Sequence, residues 1–507
     1  MSLLRFAVFA AALLACSGAA AQVSPQAPLQ RFGSAEAFDA FVAEVAEEQR
    51  RREERDWDVI VLAHPPTPPP RSLTDVTIGV DSGDIAKRVG QFLVVLWDGA
   101  LFSVDLRPAG APGLRRAARL ELDRERFNED TNIIASGDRV IAYDHTVGGA
   151  SFLVLGVGAD GALTAEAEFR IVVDAHSRAY LADGRLVFVT QIGLVRAREP
   201  IVWPRLVQGE RQEQLIGPED VYRPILAAHS PYLHATSVCA LDASAHVRCA
   251  TTGVVGPGFP WDFVTAAGVY HWFDDVDPPY LPERCDFARA RDGDSSALLR
   301  VALDGGAPSA VSTRGSLPSF WRHADGSVHA LVAWCRSRSA DLRHVVVPSG
   351  GDSMRPTYRR VPRHANGGFA FVQGEYLVSA ASGAQLFDVR ELRGSRATTV
   401  RFTPLDHGET AEVRLAHDIR AVEFAGEDII FMGNRDGGGL SLSRVRVDRA
   451  PRLASRITLQ GRYLAMRWER AYSSITDASG AGYLALPTWR RAAYGEREAD
   501  MTFVALT

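Results

Sequence analysis

Aspartate, histidine and a solitary lysine are the residues through which this chain could do chemistry, and they gather in a few places. The first is Gly79-Val80-Asp81-Ser82-Gly83-Asp84-Ile85-Ala86-Lys87, which holds two closely spaced carboxylates and the only lysine of the sequence. Asp81, Asp84 and Lys87 could cap turns and pair across the point where the first β-run begins. The alternative is that they line an axial opening and bind a ligand. The second place is His271 with Asp274, Asp275 and Asp277, where grouped oxygen ligands could hold calcium. Their spacing matches no calcium loop, and Pro278-Pro279 marks a turn, so loop acids are expected. The third is His229, His234 and His246, since imidazole clusters ligate zinc or copper. Those intervals fit no ligand pattern either, which leaves surface or packed histidines and assigns no metal.

Gly156-Val157-Gly158-Ala159-Asp160-Gly161 satisfies the dinucleotide fingerprint in letters only. The motif works where a strand leads into a helix whose N-terminus receives the pyrophosphate, and here a β-run lies on either side. A hairpin turn is the expectation. The sequence holds no G-x-S-x-G elbow, HExxH or P-loop, so the commonest hydrolase, metalloprotease and NTPase schemes lack support, and no cofactor is implied.

The elements that must position these residues are short β-runs. From Gln91 onward they recur with Gly-containing turns between them, and nothing of helical period and comparable length intervenes. Asp98-Gly99, Asp160-Gly161, Asp183-Gly184, Asp304-Gly305 and Asp325-Gly326 mark the turns, because such pairs supply the positive φ of a tight hairpin. Clear strands include 139–143, 151–157, 185–190, 267–273, 298–303, 374–379 and 428–432. Antiparallel meanders at this spacing predict an all-β propeller, since radial closure protects sheet edges that an open array would expose. At about 40 to 60 residues per blade, residues 72–507 make roughly seven or eight four-stranded blades. A pair of β-sandwiches is the alternative, but no composition break divides this region. Trp261, Trp272, Phe320, Trp321 and Trp334 are expected in the core between blades rather than on a stacking platform.

Ahead of the β region, residues 1–21 read as an export signal: Arg5, then the apolar run Phe6 to Ala15, then Ala19-Ala20-Ala21 before Gln22. Leu13-Leu14-Ala15-Cys16 also resembles a bacterial lipobox, with cleavage before a lipidated Cys16. Both readings predict an exported protein, periplasmic or associated with the outer membrane, with secretion as the alternative, and no later segment is long and apolar enough for a transmembrane helix. Residues 22–71 hold one amphipathic helix, with Ser34 as its N-cap and Phe38, Phe41, Val42 and Val45 on its apolar stripe ahead of the charged run Glu47 to Arg55. A proline-rich linker, Pro65 to Pro70, follows. Export places the cysteines where disulfides persist. Cys239 and Cys249 flank a hairpin and are expected to bridge, whereas sequence cannot show whether Cys285 and Cys335 approach each other.

Over most of the mature chain these residues resemble a family of secreted bacterial and archaeal proteins whose C-terminal β-propeller is distantly related to WD repeats. The opening Gly79 to Lys87 is similar to that family's Gly-Val-Asp-Glu-x-Asp-Ile-Val-Lys, and Leu101-Phe102-Ser103-Val104-Asp105 to the arm that follows it. Segments 177–190 and 419–431 and the helix around Phe32 to Val45 are alike in order. Where the family usually has a Tyr-Leu-His-Pro turn, this chain reads Tyr463-Leu464-Ala465-Met466-Arg467-Trp468. The resemblance implies a fold and a compartment but brings no reaction.

With 46% apolar and 23% charged residues and a formal net charge of −5, the composition is that of a globular protein and favours neither nucleic acid nor an anionic membrane. The leading expectation is therefore a non-enzymatic extracytoplasmic propeller that binds a protein or an envelope component. The alternatives are a propeller enzyme with a metal or carboxylate site on its axial face and a metal- or small-ligand-binding protein.

Overall fold

The computed structural model describes residues 29–56 and most of 80–506. Outside the description lie 1–28, 57–79, 107–114, 225–231, 275–294, 348–356, 361–369, 381–396, 465–472 and shorter stretches in the connections. The export signal, Cys16, the proline tract, Asp84, His229, Asp275, Asp277 and Cys285 thus lie outside the described residues, as do the side chains of Trp261, Phe320, Trp321, Trp334 and Cys335.

Among the described residues every strand pairing is antiparallel, apart from an isolated parallel bridge between Tyr222 and Val254. The chain is an all-β propeller of seven four-stranded blades, spanning 86–121, 132–172, 176–256, 261–314, 316–360, 370–414 and 421–459. A C-terminal sheet follows, in which Gly482–Arg491 pairs with Arg497–Leu506 on one side and with Arg462–Leu464 and Ser473–Thr476 on the other. Two of the expected turns have both residues left-handed: Asp98 and Gly99 have φ of 47° and 72°, and Asp183 and Gly184 have 48° and 69°, while Asp325-Gly326 lies outside the described residues. Such paired left-handed residues match the twist of the strands that they join.

Side chains alternate across each strand, and in a propeller both faces of a central strand are covered by neighbouring blades. The strand Asp428–Asn434 shows the result: every residue in it is buried. Ile429 and Phe431 enter the cluster shared with blade 6, while Ile430 and Met432 enter the one shared with the C-terminal sheet. In blade 2, Val140 and Ala142 face blade 1 while Ile141 and Tyr143 face blade 3. Fully burying a side chain of this size contributes about 1.5–3 kcal/mol, so seams of this kind carry most of the stability.

Blades 2 and 3 are reinforced beyond the common plan. The helix Ala35–Asp56 is capped by Ser34, whose hydroxyl accepts the Ala37 amide at 3.2 Å. It runs on through the charged segment, where Arg50 and Arg51 pair with Glu47 one turn earlier. Phe38 and Phe41 dock on the core between the two blades; Phe32 meets Phe38 edge-on and Phe41 at a tilt, and Trp203 meets Phe38 at a tilt. Between the second and third strands of blade 3 the chain makes an excursion over 194–231. Its hairpin, Arg205–Gln208 with Arg211–Gln214, pairs with Leu163–Val172 and widens blade 2 to six strands. Tyr222 then bridges Val254 on one side and Arg31 on the other, covering the outer edge of blade 3.

Candidate functional site

The polar opening motif is not a local turn. Val80 and Asp81 pair with Ala182 and Leu181 on the innermost strand of blade 3. Gly83 lies over Tyr143 of blade 2 with a φ of 85°, and a Cβ there would fall 2.2 Å from the tyrosine hydroxyl, so only glycine fits. Lys87, half-buried, sits on the innermost strand of blade 1 opposite Val94. One short stretch thus crosses the inner ends of three blades.

The densest polar constellation of the described residues lies in the seam between blades 3 and 4. His234 and Thr236 stand on Tyr232–Leu241, on the same face as Val238, which packs toward blade 4. His271 stands on Gly268–Asp274 between Val269 and Phe273, both packed toward blade 3. Hairpin register sets Asp262 directly opposite His271. The His271 ring bonds Asp262 through Nδ1 at 2.6 Å and Thr236 Oγ1 through Nε2 at 2.8 Å. His234 Nε2 reaches the Pro257 carbonyl at 2.8 Å, and its ring meets Phe273 edge-on at 5.0 Å.

The electrostatics fix the donors. Burial alone would raise the Asp262 carboxyl, but the His271 ring, Arg178 and His234 outweigh it and hold it below its ordinary value. An ionised carboxylate only accepts, so His271 Nδ1 donates to it. Hydroxyl, imidazole and carboxylate in this order form the relay that activates a nucleophile in hydrolases. Here it is closed: Thr236 is 1% and His271 0% exposed, so no substrate atom reaches the hydroxyl.

Smaller polar links lie elsewhere, within blades and between them. Thr131 donates to Asp144 at 2.8 Å, His145 Nδ1 meets Ser177 at 3.1 Å across blades 2 and 3, and His417 Nε2 meets Ser443 at 2.8 Å. Most of these groups lie toward the end at which innermost strands begin and second strands finish. Three long connections leave from that same end, after Gly193 in blade 3, after Asp274 in blade 4 and after Ala380 in blade 6.

The sequence-derived candidates distribute as follows. His271 has Asp262 as its carboxylate partner and Asp274 occupies the last position of its strand, while Asp275 and Asp277 lie outside the described residues. His234 and His246 are not brought together, the first lying in the seam and the second at a hairpin tip beside Asp242. Gly156 to Gly161 is a hairpin connection, with Gly158 N donating to the Ala162 carbonyl and Gly161 at a φ of 86°. Trp272 is core, and Cys239 and Cys249 are bridged across paired strands. Thr236 and Asp262 were missed. Their only signal is the alternation that sets each of them on an inward face.

No protein-family model matches the chain, and no curated protein matches it in sequence. Solved structures are similar at a distance. A crystal structure of a eukaryotic initiation factor is 10% identical, with 78% of this chain and 90% of that one covered at a TM-score of 0.32. Cobalt-substituted apocarotenoid oxygenase of Synechocystis is 12% identical over 74% and 71% at 0.28, and an ancestral GH74 enzyme 7% identical over 84% and 78% at 0.22. At such scores these likenesses carry no activity across. The class rests on strand pairing: this is a seven-bladed propeller protein, and no family is assigned.

Proposed function

We propose that this chain is an exported propeller that binds a protein or an envelope component and catalyses no reaction. The observation that carries the reading is the sealed Thr236–His271–Asp262 relay. Among the described residues, those best suited to nucleophilic chemistry join two blades, with the hydroxyl buried in the seam. The Cys239–Cys249 bridge favours an oxidising compartment outside the cytoplasm, periplasmic or at the outer membrane, reached by the signal at 1–21 and held there through Cys16 where the lipobox is used. The partner would meet the end of the propeller that carries the long connections. Lys87, near the start of blade 1's innermost strand, would border that surface; Asp81, paired with Leu181 near the finish of blade 3's innermost strand, lies toward the other end, and Asp84 lies outside the described residues.

The test is to express the full chain in an exporting bacterium, fractionate it, and cross-link in the intact envelope. The expected result is an oxidised Cys239–Cys249 pair in the envelope fraction and one reproducible cross-linked partner, lost when 275–294 is replaced by a short Gly-Ser turn. Free thiols in the cytoplasmic fraction overturn the location. A substrate turned over by wild type and not by Thr236→Val overturns the non-enzymatic reading.

A further inference from the structure

We propose that the seam between blades 3 and 4 is an acid-operated latch, in which protonation of His234 parts the two blades. The Pro257 carbonyl can only accept, so His234 Nε2 carries the proton in the neutral ring and Nδ1 carries the lone pair. Nδ1 has no hydrogen-bond partner among the described residues, and the ring lies 2% exposed against Phe273. A lone pair is tolerated in that setting. A second N–H is not, because a buried cationic donor with no acceptor in hydrogen-bond geometry loses more in hydration than the neighbouring carbonyls return.

The groups facing His234 do not relieve this. Blade 4 presents His271 and Asp262, and the innermost strand of blade 3 presents Arg178, whose charge acts on Asp262. Tyr232, two residues earlier on the same strand, has its ring 6.5 Å from that of His234, and Tyr180 and Tyr222 are packed in the cluster that holds Phe273. Asp262 is the one anion of this set, and it is already bonded to His271. Burial pushes His234 down to about 4 and the His271 ring adds to the fall, while Asp262 and the Pro257 and Gly256 carbonyls only partly oppose it. In an opened seam the ring meets water and regains its ordinary value near 6.5. Above 6.5 the closed seam carries no proton penalty. As pH falls from there to about 4 the opening equilibrium grows by up to roughly tenfold per unit, about 300-fold in all.

Amide exchange of the full-length protein, corrected for its intrinsic pH dependence, reads the opening directly. Peptides covering Tyr232–Leu241 and Gly268–Asp274 are expected to exchange at least about tenfold faster at pH 5 than at pH 7. His234→Gln keeps a side-chain N–H for Pro257 and cannot titrate, so the acid response of these two strands should vanish. His344→Gln, which alters a different seam, should leave it in place. NMR titration of the His234 ring in the wild-type protein guards against a variant that fails to fold, with a midpoint well below 6.5 expected. An acid response retained in His234→Gln, or a His234 ring that titrates at its ordinary value, overturns the latch.

Discussion

Blade 4 is covered on both faces, and the two faces are built differently. Toward blade 5, Phe263, Tyr270, Trp272 and Leu298 pack on Val328, Ala330, Val332 and Val345, a seam made of shape and apolar area. Toward blade 3, one residue over on the same two strands, Asp262 and His271 meet Thr236, His234 and Arg178. The apolar face is insensitive to pH and forgiving of small shifts, since dispersion and area loss vary gradually. The polar face is all or none: each group satisfies another, and removing one leaves its partner buried and unpaired. Seams of both kinds can stabilise a propeller, but only the second ties blade contact to proton concentration.

The contrast can be broken in order of effect. Trp272→Ala in the apolar seam should cost about 3–5 kcal/mol of unfolding free energy, with the same loss at pH 7 and pH 5 in denaturant titrations. A loss that depends on pH would merge the two faces into one mechanism. Asp262→Ala should cost about 3 kcal/mol at pH 7 by stranding His271. The double replacement Asp262→Leu with His271→Leu should cost less than that single change, because no polar atom is then left without a partner.

A pH scan of wild type is the next sharpening. His234 and His344, each pushed down to about 4 chiefly by burial, bind fewer protons folded than unfolded between 4 and 6.5. Stability should therefore be full above 6.5 and fall as pH drops through that window, by up to about 3 kcal/mol for the nearly enclosed His234. Burial lowers His417 as well, so its contribution has the same sign. A flat profile from pH 7 to 4.5 would remove the distinction. The smallest effect is expected from Thr236→Val, about 1–2 kcal/mol for the partner lost at His271 Nε2. A double-mutant cycle with His271→Leu should show that the two changes are not additive.

Much of the fold was legible because its signals are local. A pair such as Asp98-Gly99 states its own backbone geometry, apolar runs such as 428–432 state that both faces are covered, and Ser34 followed by Phe38 and Phe41 states a capped helix. The Cys239–Cys249 bridge was legible for the same reason, since both residues lie in one hairpin. The relay was not. In sequence His271 stands beside a string of aspartates, yet the one that bonds it is nine residues earlier, chosen by hairpin register, and its hydroxyl is 35 residues away on another blade.

The same division holds for the opening motif and the excursion after blade 3's second strand. Composition identified the first as polar and did not single out the second. Nothing local says that Gly83 must clear a tyrosine of blade 2, or that Arg205–Gln208 returns to extend that blade. The sequence alone determined the strands, their turns and which side chains point inward, because period and φ preference act over a few residues. Which inward residues meet, and whether a hydroxyl, an imidazole and a carboxylate end in solvent or sealed between blades, was decided by the radial packing of sheets far apart in the chain.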